Sequence, residues 1–297
     1  MINFKKLEIS DFYEANKIFK QYNIENCDHC FSTMVIWSHR FQVEISIQDG
    51  EVFMRTKGDN SFWYLSPTGA MPFEEAVKLI IEDARQNGHN VKIHAMNEEQ
   101  KDKLQEGFPG QFAIIEDRDS YDYIYKGEDL RLLQGKNYQK KRNHCSRFEK
   151  DNPDYTFNII TQENIEKVKQ FEKEWCKRNN CDEARGLFAE QQGIMELLNN
   201  YEKLDLIGAF IETEQGIVAF TLAAPINDDM VDVIVEKAFH EINGAYAVIN
   251  RDFAFHCLGS YKLINREDDM GEENLRKAKL SYFPYEVREK FLAKLIV

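Results

Sequence analysis

The densest group of charged side chains in the sequence follows a short apolar stretch near residue 264. Residues 262–264 read as the end of a strand, and the polar run 265–269 (NREDD) comes directly after them. Gly271 permits a tight turn, and a helix then begins with two glutamates in its first turn, where the helix dipole favours carboxylates. A strand that carries this much charge to the start of a helix indicates a functional site. The alternative is a solvated turn with acidic helix-capping residues.

A second pair of charged residues, Glu236 and Lys237, lies at the end of the predicted strand 230–238. Because side chains alternate along a strand, these two point to opposite faces of the sheet. A buried glutamate facing a cleft could act as general base on an attacking amine, with its pKa raised by burial. The alternative is an ion pair, of Glu236 with Arg266 or of Lys237 with Asp268.

The segment 136–150 is a basic stretch inside an acidic protein. Lys140 and Arg142 lie at its centre, in a sequence that predicts a helix. These side chains could form a phosphate-binding wall for the 3′-phosphate of CoA or for tRNA. The alternative is a solvated helix that links two domains. This change of character places the domain boundary between residues 134 and 135.

The cysteines do not predict a metal or a nucleophile. Cys27 and Cys30 have the C-x-x-C spacing of half a zinc site, but a zinc site needs a second pair. Cys176 and Cys181 lie close together on a predicted helix end and loop, and six cysteines in 297 residues are not typical of a disulfide framework. We therefore expect reduced, partly buried thiols and no metal. Neither Ser281 nor Cys257 has the partners of a catalytic triad.

The elements that must position these residues follow from hydrophobic spacing. In the first half, Asp49-Gly50 predicts a hairpin turn, and residues 72–85 predict an amphipathic helix. This half has no glycine-rich turn for a pyrophosphate, so we interpret it as structural or substrate-shaping. In the second half, helices precede a strand hairpin, and a tail helix is predicted from Val287, Phe291, Leu292 and Leu295.

Composition sets further bounds on function. The net charge of −13 argues against a general surface for nucleic acid or anionic membranes. No apolar run approaches the roughly 20 residues that a transmembrane helix needs, and the first residues lack the apolar core of a signal peptide. We therefore expect a cytoplasmic protein without a transmembrane segment.

Four segments together resemble a known family: GIVAFTLAAPI (216–226), VIVEKAFHEINGAY (233–246), INREDDMG (264–271) and LRKAKLSYFP (275–284). They are similar to the C-terminal catalytic domain of phosphatidylglycerol lysyltransferases and its soluble relatives, mainly from residue 121 onward. Arg266 stands where the lysyltransferases carry phenylalanine. The resemblance implies a mixed α/β fold of tandem GNAT-like domains, here residues 1–134 and 135–297, with the site in the second domain.

The resemblance also implies roles for individual residues. A donor phosphate would lie on the helix start at Asn243, Gly244, Ala245 and Tyr246, assisted by Lys140 and Arg142. Lys279 would stabilise charge near the scissile ester, and Glu236 and Asp268 would complete the catalytic group. The acceptor would contact Arg266, Glu267 and Asp269.

The function implied is transfer of an acyl group from acyl-CoA or aminoacyl-tRNA to an amine or hydroxyl. A tRNA donor would use the basic segment 136–150. The alternative is a non-catalytic ligand-binding protein that keeps the fold, so enzymatic activity itself is left open, as is the oligomeric state.

Overall fold

The chain folds around two mixed β-sheets flanked by helices. The structure, a computed structural model, describes residues 1–57, 61–181 and 185–296. The α-helices are α1 (Phe12–Gln21), α2 (Phe31–Phe41), α3 (Phe73–Gln86), α4 (Glu98–Gly107), α5 (Gly127–Leu132), α6 (Gln139–Asp151), α7 (Ile165–Arg178), α8 (Arg185–Asn199), α9 (Ala245–His256) and α10 (Glu273–Leu280). Within these described residues, no helix combines the length and the apolar character needed to cross a bilayer.

The strands divide between the two sheets in a nearly sequential way. They are β1 (Lys5–Lys6), β2 (Glu44–Gln48), β3 (Glu51–Lys57), β4 (Ser61–Leu65), β5 (Thr68–Gly69), β6 (Asn90–Met96), β7 (Phe112–Glu116), β8 (Asp122–Lys126), β9 (Thr156–Ile159), β10 (Ile207–Thr213), β11 (Gly216–Pro225), β12 (Met230–Ala238), β13 (Leu263–Asn265), β14 (Glu286–Arg288) and β15 (Phe291–Leu295). The first sheet has the order β1-β2-β3-β4-β6-β15-β7, with β5 beside β3, and the second has the order β14-β8-β13-β12-β11-β10-β9.

Sheet membership does not change at residues 134/135. Strand β8 precedes that point and lies in the second sheet, whereas β15 follows it and lies in the first. The division into domains 1–134 and 135–297 therefore stays a prediction. Strands β1–β7 belong to the first sheet and β8–β14 to the second, whereas the last strand, β15, belongs to the first sheet again.

Two local predictions for the first half are confirmed. Gln48 pairs with Glu51 across the two-residue turn Asp49-Gly50, whose φ angles are +53° and +74°. Positive φ at both central residues is the geometry that an Asp-Gly hairpin favours. The amphipathic segment 72–85 forms α3, which buries its apolar face through Ala76, Val77, Ile80 and Ala84.

The predicted tail helix is wrong, because residues 286–295 form β14 and β15. Strand β15 lies between β6 and β7 and pairs antiparallel with both. Phe291, Leu292 and Ala293 are consecutive and all buried, as expected of a strand covered on both faces. A short run of this kind fits helical and strand spacing alike, and the vacant position between two strands decides the outcome.

The expectation of reduced thiols is wrong for one pair of cysteines. Cys176 lies in the last turn of α7 and forms a disulfide with Cys181, with the two Cα atoms 5.2 Å apart. Asn180 adopts a positive φ of 52°, which reverses the chain and brings the two side chains together. Cys27, Cys30, Cys145 and Cys257 are free thiols.

The two halves share one apolar core. The main cluster of buried side chains contains residues of α2 and of α7, α8 and β10–β12. Helices α2 and α8 cross so closely that a side chain at Gly193 would lie 2.3 Å from the Cα atom of Ile36. Glycine at this crossing is therefore required by packing, and the halves form one continuous body.

A buried ion cluster joins both sheets to the end of the chain. The ammonium of Lys290 contacts the carboxylate of Asp28 and lies 2.6 Å from Asp122 Oδ1 and 3.3 Å from Cys27 Sγ. Asp122 Oδ2 also accepts hydrogen bonds from the Cys27 N–H and from Asn265 Nδ2. Burial lowers the pKa of Lys290, but the two carboxylates outweigh it and hold that pKa well above its usual range.

Replacing Lys290 with methionine should remove this cation while keeping a side chain of similar length. We expect Lys290→Met to lower the free energy of unfolding by about 3 to 5 kcal/mol, because Asp122 is left buried without its counterion. Urea unfolding followed by circular dichroism measures the change. Lys294→Met, in the following strand β15 and partly exposed, should change it by less than about 0.5 kcal/mol. Equal effects of the two substitutions would contradict the importance of the cluster.

Candidate functional site

A cavity of about 990 Å³ lies between the two halves of the chain. The first half contributes α2 and strands β3, β4 and β6. The second half contributes α6, β12, the start of α9, the segment after β13, and α10. The first-half wall contributes most of the aromatic and large apolar side chains, together with the charged residues Asp28, Arg40 and Arg55. Its apolar lining includes Met34, Trp37, Phe41, Met54, Trp63 and Leu65.

Strands β12 and β13 separate at the wall of this cavity. They pair in parallel only through residues 230–232 and 263–265. Strand β12 continues to Ala238, paired with β11 on its other side. Among the described residues no strand pairs with the free edge of β12, and Val233, Ile234 and Glu236 line the cavity there. An open strand edge can pair with an extended ligand.

Glu236 lines the cavity and is also paired. Its Oε1 accepts a hydrogen bond from Arg266 Nη2 at 2.9 Å, and its Oε2 accepts one from Asn250 Nδ2 at 2.9 Å. The alternative ion pair with Arg266 is therefore present. Lys237 points to the opposite face, as alternation predicts, where it contacts Glu172 Oε1 at 2.9 Å. The alternative pair of Lys237 with Asp268 is wrong.

Lys279 supports the polar segment after β13. Its ammonium donates hydrogen bonds to the backbone carbonyls of Arg266 and Asp268 and lines the cavity. Burial lowers the pKa of this lysine. An ammonium has three N–H donors, so one remains for a ligand.

Three carboxyl groups near this segment differ in ionisation. Asp268 and Glu267 line the cavity, and Asp232 lies behind Glu267. Burial raises the pKa of Asp268 to about 6 and raises the pKa values of Glu267 and Asp232 well above their usual range. Thr33 Oγ1 lies 3.2 Å from Asp232 and 3.1 Å from Glu267. Since a hydroxyl has one hydrogen, one of these carboxyls must be protonated and donate to Thr33.

Asp269 lies outside the cavity lining and has a structural environment. Both of its oxygens accept hydrogen bonds from Arg276 at 2.8 Å, and Oδ2 accepts one from Tyr123 Oη at 2.6 Å. Burial alone would raise the pKa of Asp269, but these hydrogen bonds outweigh it and hold that pKa at about 2. Because Asp269 does not line the cavity, its position does not support the predicted contact with the acceptor substrate.

The predicted phosphate turn lines the cavity through Asn243, Gly244, Ala245 and Tyr246. Gly244 has φ of +84° and directly precedes α9. A Cβ atom at this position would lie 2.3 Å from the backbone oxygen of His144 in α6. Glycine is therefore required here by close packing of two helices, and a bulky substitution would disturb the fold as well as any ligand contact.

The two predicted cofactor residues of the basic segment lie outside the cavity lining. Lys140 is exposed, and Arg142 donates hydrogen bonds to the carbonyls of Leu133 and Gly135. Helix α6 packs on α9 through buried Cys145 and Phe148, while Lys140 and Arg147 on its outer side are exposed. The alternative of a solvated helix therefore describes its outer face and not its inner one.

Lys141 and His144 are the residues of α6 that line the cavity. Both belong to the basic segment 136–150, but the predicted cofactor contacts within it were assigned to Lys140 and Arg142. A signal for Lys141 was available. It precedes Cys145 by four residues and Phe148 by seven, which places all three on one helix face. No local sequence pattern predicts that Thr33 or the other first-half residues line the cavity. Only the tertiary structure brings them next to the second half of the chain.

Residues with metal-binding atoms also lie beside the cavity. A sulfur or carboxylate oxygen from each of Cys27, Asp28 and Asp122 falls within 4.8 Å of the others. The ammonium of Lys290 already contacts both carboxylates of this group and compensates one of their two negative charges. Cys30, the other half of the C-x-x-C pair, packs in the apolar core.

Substitution of the two neighbouring aspartates should change stability in opposite directions at pH 7. Asp269 has a folded pKa of about 2, so its contribution is present above the unfolded pKa of about 3.9 and is lost as pH falls toward 2. We expect Asp269→Asn to lower the free energy of unfolding by on the order of 2 kcal/mol.

The pH dependence of stability that Asp268 contributes has the opposite sign, because the folded protein disfavours its ionised form. Its contribution to stability decreases as pH rises from the unfolded pKa to about 6. Asp268→Asn should therefore raise the unfolding free energy at pH 7, measured in parallel by urea titration. A loss of stability in both variants would show that Asp268 is also a structural anion.

Known proteins share this architecture. A conserved protein of unknown function from Bacteroides thetaiotaomicron VPI-5482 has 37% sequence identity and a TM-score of 0.93, with 100% of both chains covered. L-PGS from Bacillus licheniformis has a TM-score of 0.66 at 17% identity, covering 95% of this chain and 91% of that one. The predicted mixed α/β fold class is confirmed by the two mixed sheets and the helices that flank them.

Sequence comparison gives the family. The uncharacterized protein MYCGA3080 of Mycoplasmoides gallisepticum is 25% identical over 182 residues, which are 60% of this chain and only 57% of that relative. The family described as "Phosphatidylglycerol lysyltransferase, C-terminal" matches residues 19–294. Since this match covers most of the sequence and both sheets, the chain belongs to the phosphatidylglycerol lysyltransferase C-terminal family.

Proposed function

We propose that the chain is an acyl- or aminoacyl-transferase that works in the cavity between its halves. The observation that carries this proposal is the meeting of Glu236, Asp268 and Lys279 at the free edge of β12. Family membership supports the same reaction class. The donor would be an acyl-CoA or an aminoacyl-tRNA, and the acceptor an amine or a hydroxyl.

The reaction requires no covalent enzyme intermediate. The acceptor nitrogen or oxygen attacks the carbonyl carbon of the donor, its proton passes to a base, and the thiol or ribose hydroxyl of the donor leaves. Negative charge develops on the carbonyl oxygen during attack. The third N–H of Lys279 is in a position to stabilise that charge, since the other two hold the carbonyls of Arg266 and Asp268.

Two carboxyl groups could accept the acceptor's proton. Glu236 lies at the free edge of β12, but both of its oxygens accept hydrogen bonds from protein groups. Asp268 lines the same cavity with a pKa of about 6. A general base is most effective when its pKa is near the working pH. We therefore assign proton transfer to Asp268 and the positioning of Arg266 to Glu236.

The donor would be held at the second-half end of the cavity. The free edge of β12 could pair with an extended pantetheine arm, and the residues from Asn243 to Tyr246 would hold a phosphate at the start of α9. Exposed basic residues of the segment 136–150, such as Lys140, would guide a tRNA donor by charge.

One observation favours a second function, a non-catalytic binding protein. The polar groups of the cavity wall are largely paired with one another: Glu236 with Arg266 and Asn250, and Lys279 with two carbonyls. Such a wall can recognise a ligand without performing chemistry on it.

An enzyme assay with variants of both carboxylates tests the proposal. The protein is incubated with labelled acyl-CoAs and aminoacyl-tRNAs together with an amine and hydroxyl panel, and transfer is followed by mass spectrometry. We expect Asp268→Asn to lower the rate by about 10²- to 10⁴-fold. In the unsubstituted protein kcat/KM should rise with pH through about 6 as Asp268 ionises.

The controls separate the two carboxylates from general surface charge. Glu236→Gln should weaken transfer less and keep the rise near pH 6, whereas exposed Glu273→Gln on α10 should change neither. A donor that stabilises the protein against heat, yet is not consumed with any acceptor, would favour the binding protein instead.

A further inference from the structure

Two cations that line the cavity lie beside the ring of Tyr282. Lys141 Nζ lies 3.6 Å from the ring centroid, and the guanidinium carbon of Arg266 lies 4.7 Å from it. Arg266 is compensated by Glu236, but its Nη1 is buried and has no hydrogen-bond partner among the described residues. Lys141 Nζ likewise has no carboxylate or carbonyl acceptor in the described chain. In the described residues Lys141 therefore lacks an ion-pair partner, and Arg266 has an unused N–H donor.

An uncompensated cation in such a wall is costly. Burial lowers the pKa of Lys141 to about 8, with Arg266 adding repulsion, against weaker attraction from Glu236. A partly buried charge normally has a partner, because leaving water without one destabilises its charged form. The ring of Tyr282 contacts this charge, but among the described residues no carboxylate lies within ion-pair distance of it, and the charge borders the space that a ligand would occupy.

A third source of donors lies at the same end of the cavity. Gly244, directly before α9, packs against the backbone of His144. His144 follows Lys141 by three residues, which is about 4.5 Å along the helix axis. The start of α9 and the Lys141 ammonium therefore border one region of the cavity, and helix starts favour anions.

We propose that Lys141 and Arg266 form an anion subsite that binds a phosphoryl or carboxylate oxygen of the ligand. The subsite rests on the proposed function, since it would hold the anionic part of the donor. It replaces Lys140 and Arg142 in that role, because Arg142 is occupied by backbone carbonyls and Lys140 is exposed on another face of α6.

The accessibility of the Lys141 amine provides a test that needs no turnover. Brief labelling with acetic anhydride over a series of pH values, read by peptide mass spectrometry, gives the reactivity of each lysine. We expect an anion in the subsite to raise the pKa of Lys141 by about one unit and to reduce its labelling near pH 8 several-fold. Pyrophosphate and succinate are the two probes, and they distinguish phosphoryl from carboxylate recognition. Lys140 in the same peptide region is the internal control and should not respond.

Matched variants complete the test. Lys141→Gln should weaken pyrophosphate or succinate binding about tenfold or more by isothermal titration calorimetry, whereas Lys140→Gln should leave it unchanged. Equal binding by both variants, or labelling of Lys141 that neither probe alters, would overturn the subsite. Protection of Lys141 without acyl transfer in the enzyme assay would leave the subsite standing and overturn the transferase. If the protein transfers acyl groups but both variants bind the probes equally, the transferase proposal stands and the anion subsite is overturned.

Discussion

The arrangement of the two halves depends on one buried ammonium. Lys290 is 2% exposed and contacts Asp28 from the first half and Asp122 from the first strand of the second sheet. It immediately precedes β15, the strand that returns to the first sheet. Because a buried ion pair tolerates little displacement, this contact sets the register at which β15 enters between β6 and β7. Asp28 also lines the cavity, so the junction and the site share a wall.

The chemistry of the cavity follows from which charges have partners. Asp268 and Asp269 are neighbours in sequence, yet burial raises the pKa of one to about 6 while Arg276 and Tyr123 hold the pKa of the other at about 2. The first is therefore able to exchange protons near neutral pH, and the second is a fixed anion of the scaffold. The two lysines of the cavity wall also differ in their partners. Lys279 donates hydrogen bonds to backbone carbonyls, whereas Lys141 has no hydrogen-bond acceptor among the described residues.

Sequence reasoning succeeded where a local signal was sufficient. The Asp49-Gly50 turn, the amphipathic α3 and the family motifs predicted the hairpin, the helix and the fold class. It failed where a distant partner decides: the tail strand forms because β6 and β7 leave a place for it, and Arg142 is held by carbonyls of the preceding segment. Of the predicted site residues, Glu236, Asp268, Lys279 and the turn 243–246 line one cavity, but the first-half wall opposite them requires the tertiary structure.

The place of β15 affects how this protein can be made. In the described part of the chain, β7 is attached to the first sheet through β15 alone. During translation, residues 291–295 leave the ribosome after every strand of the second sheet. Until the second half has been synthesised, the first sheet therefore lacks β15, and the edges of β6 and β7 that pair with β15 stay unpaired. The nascent chain exposes aggregation-prone edges for that interval, which is the kind of surface that chaperones shield.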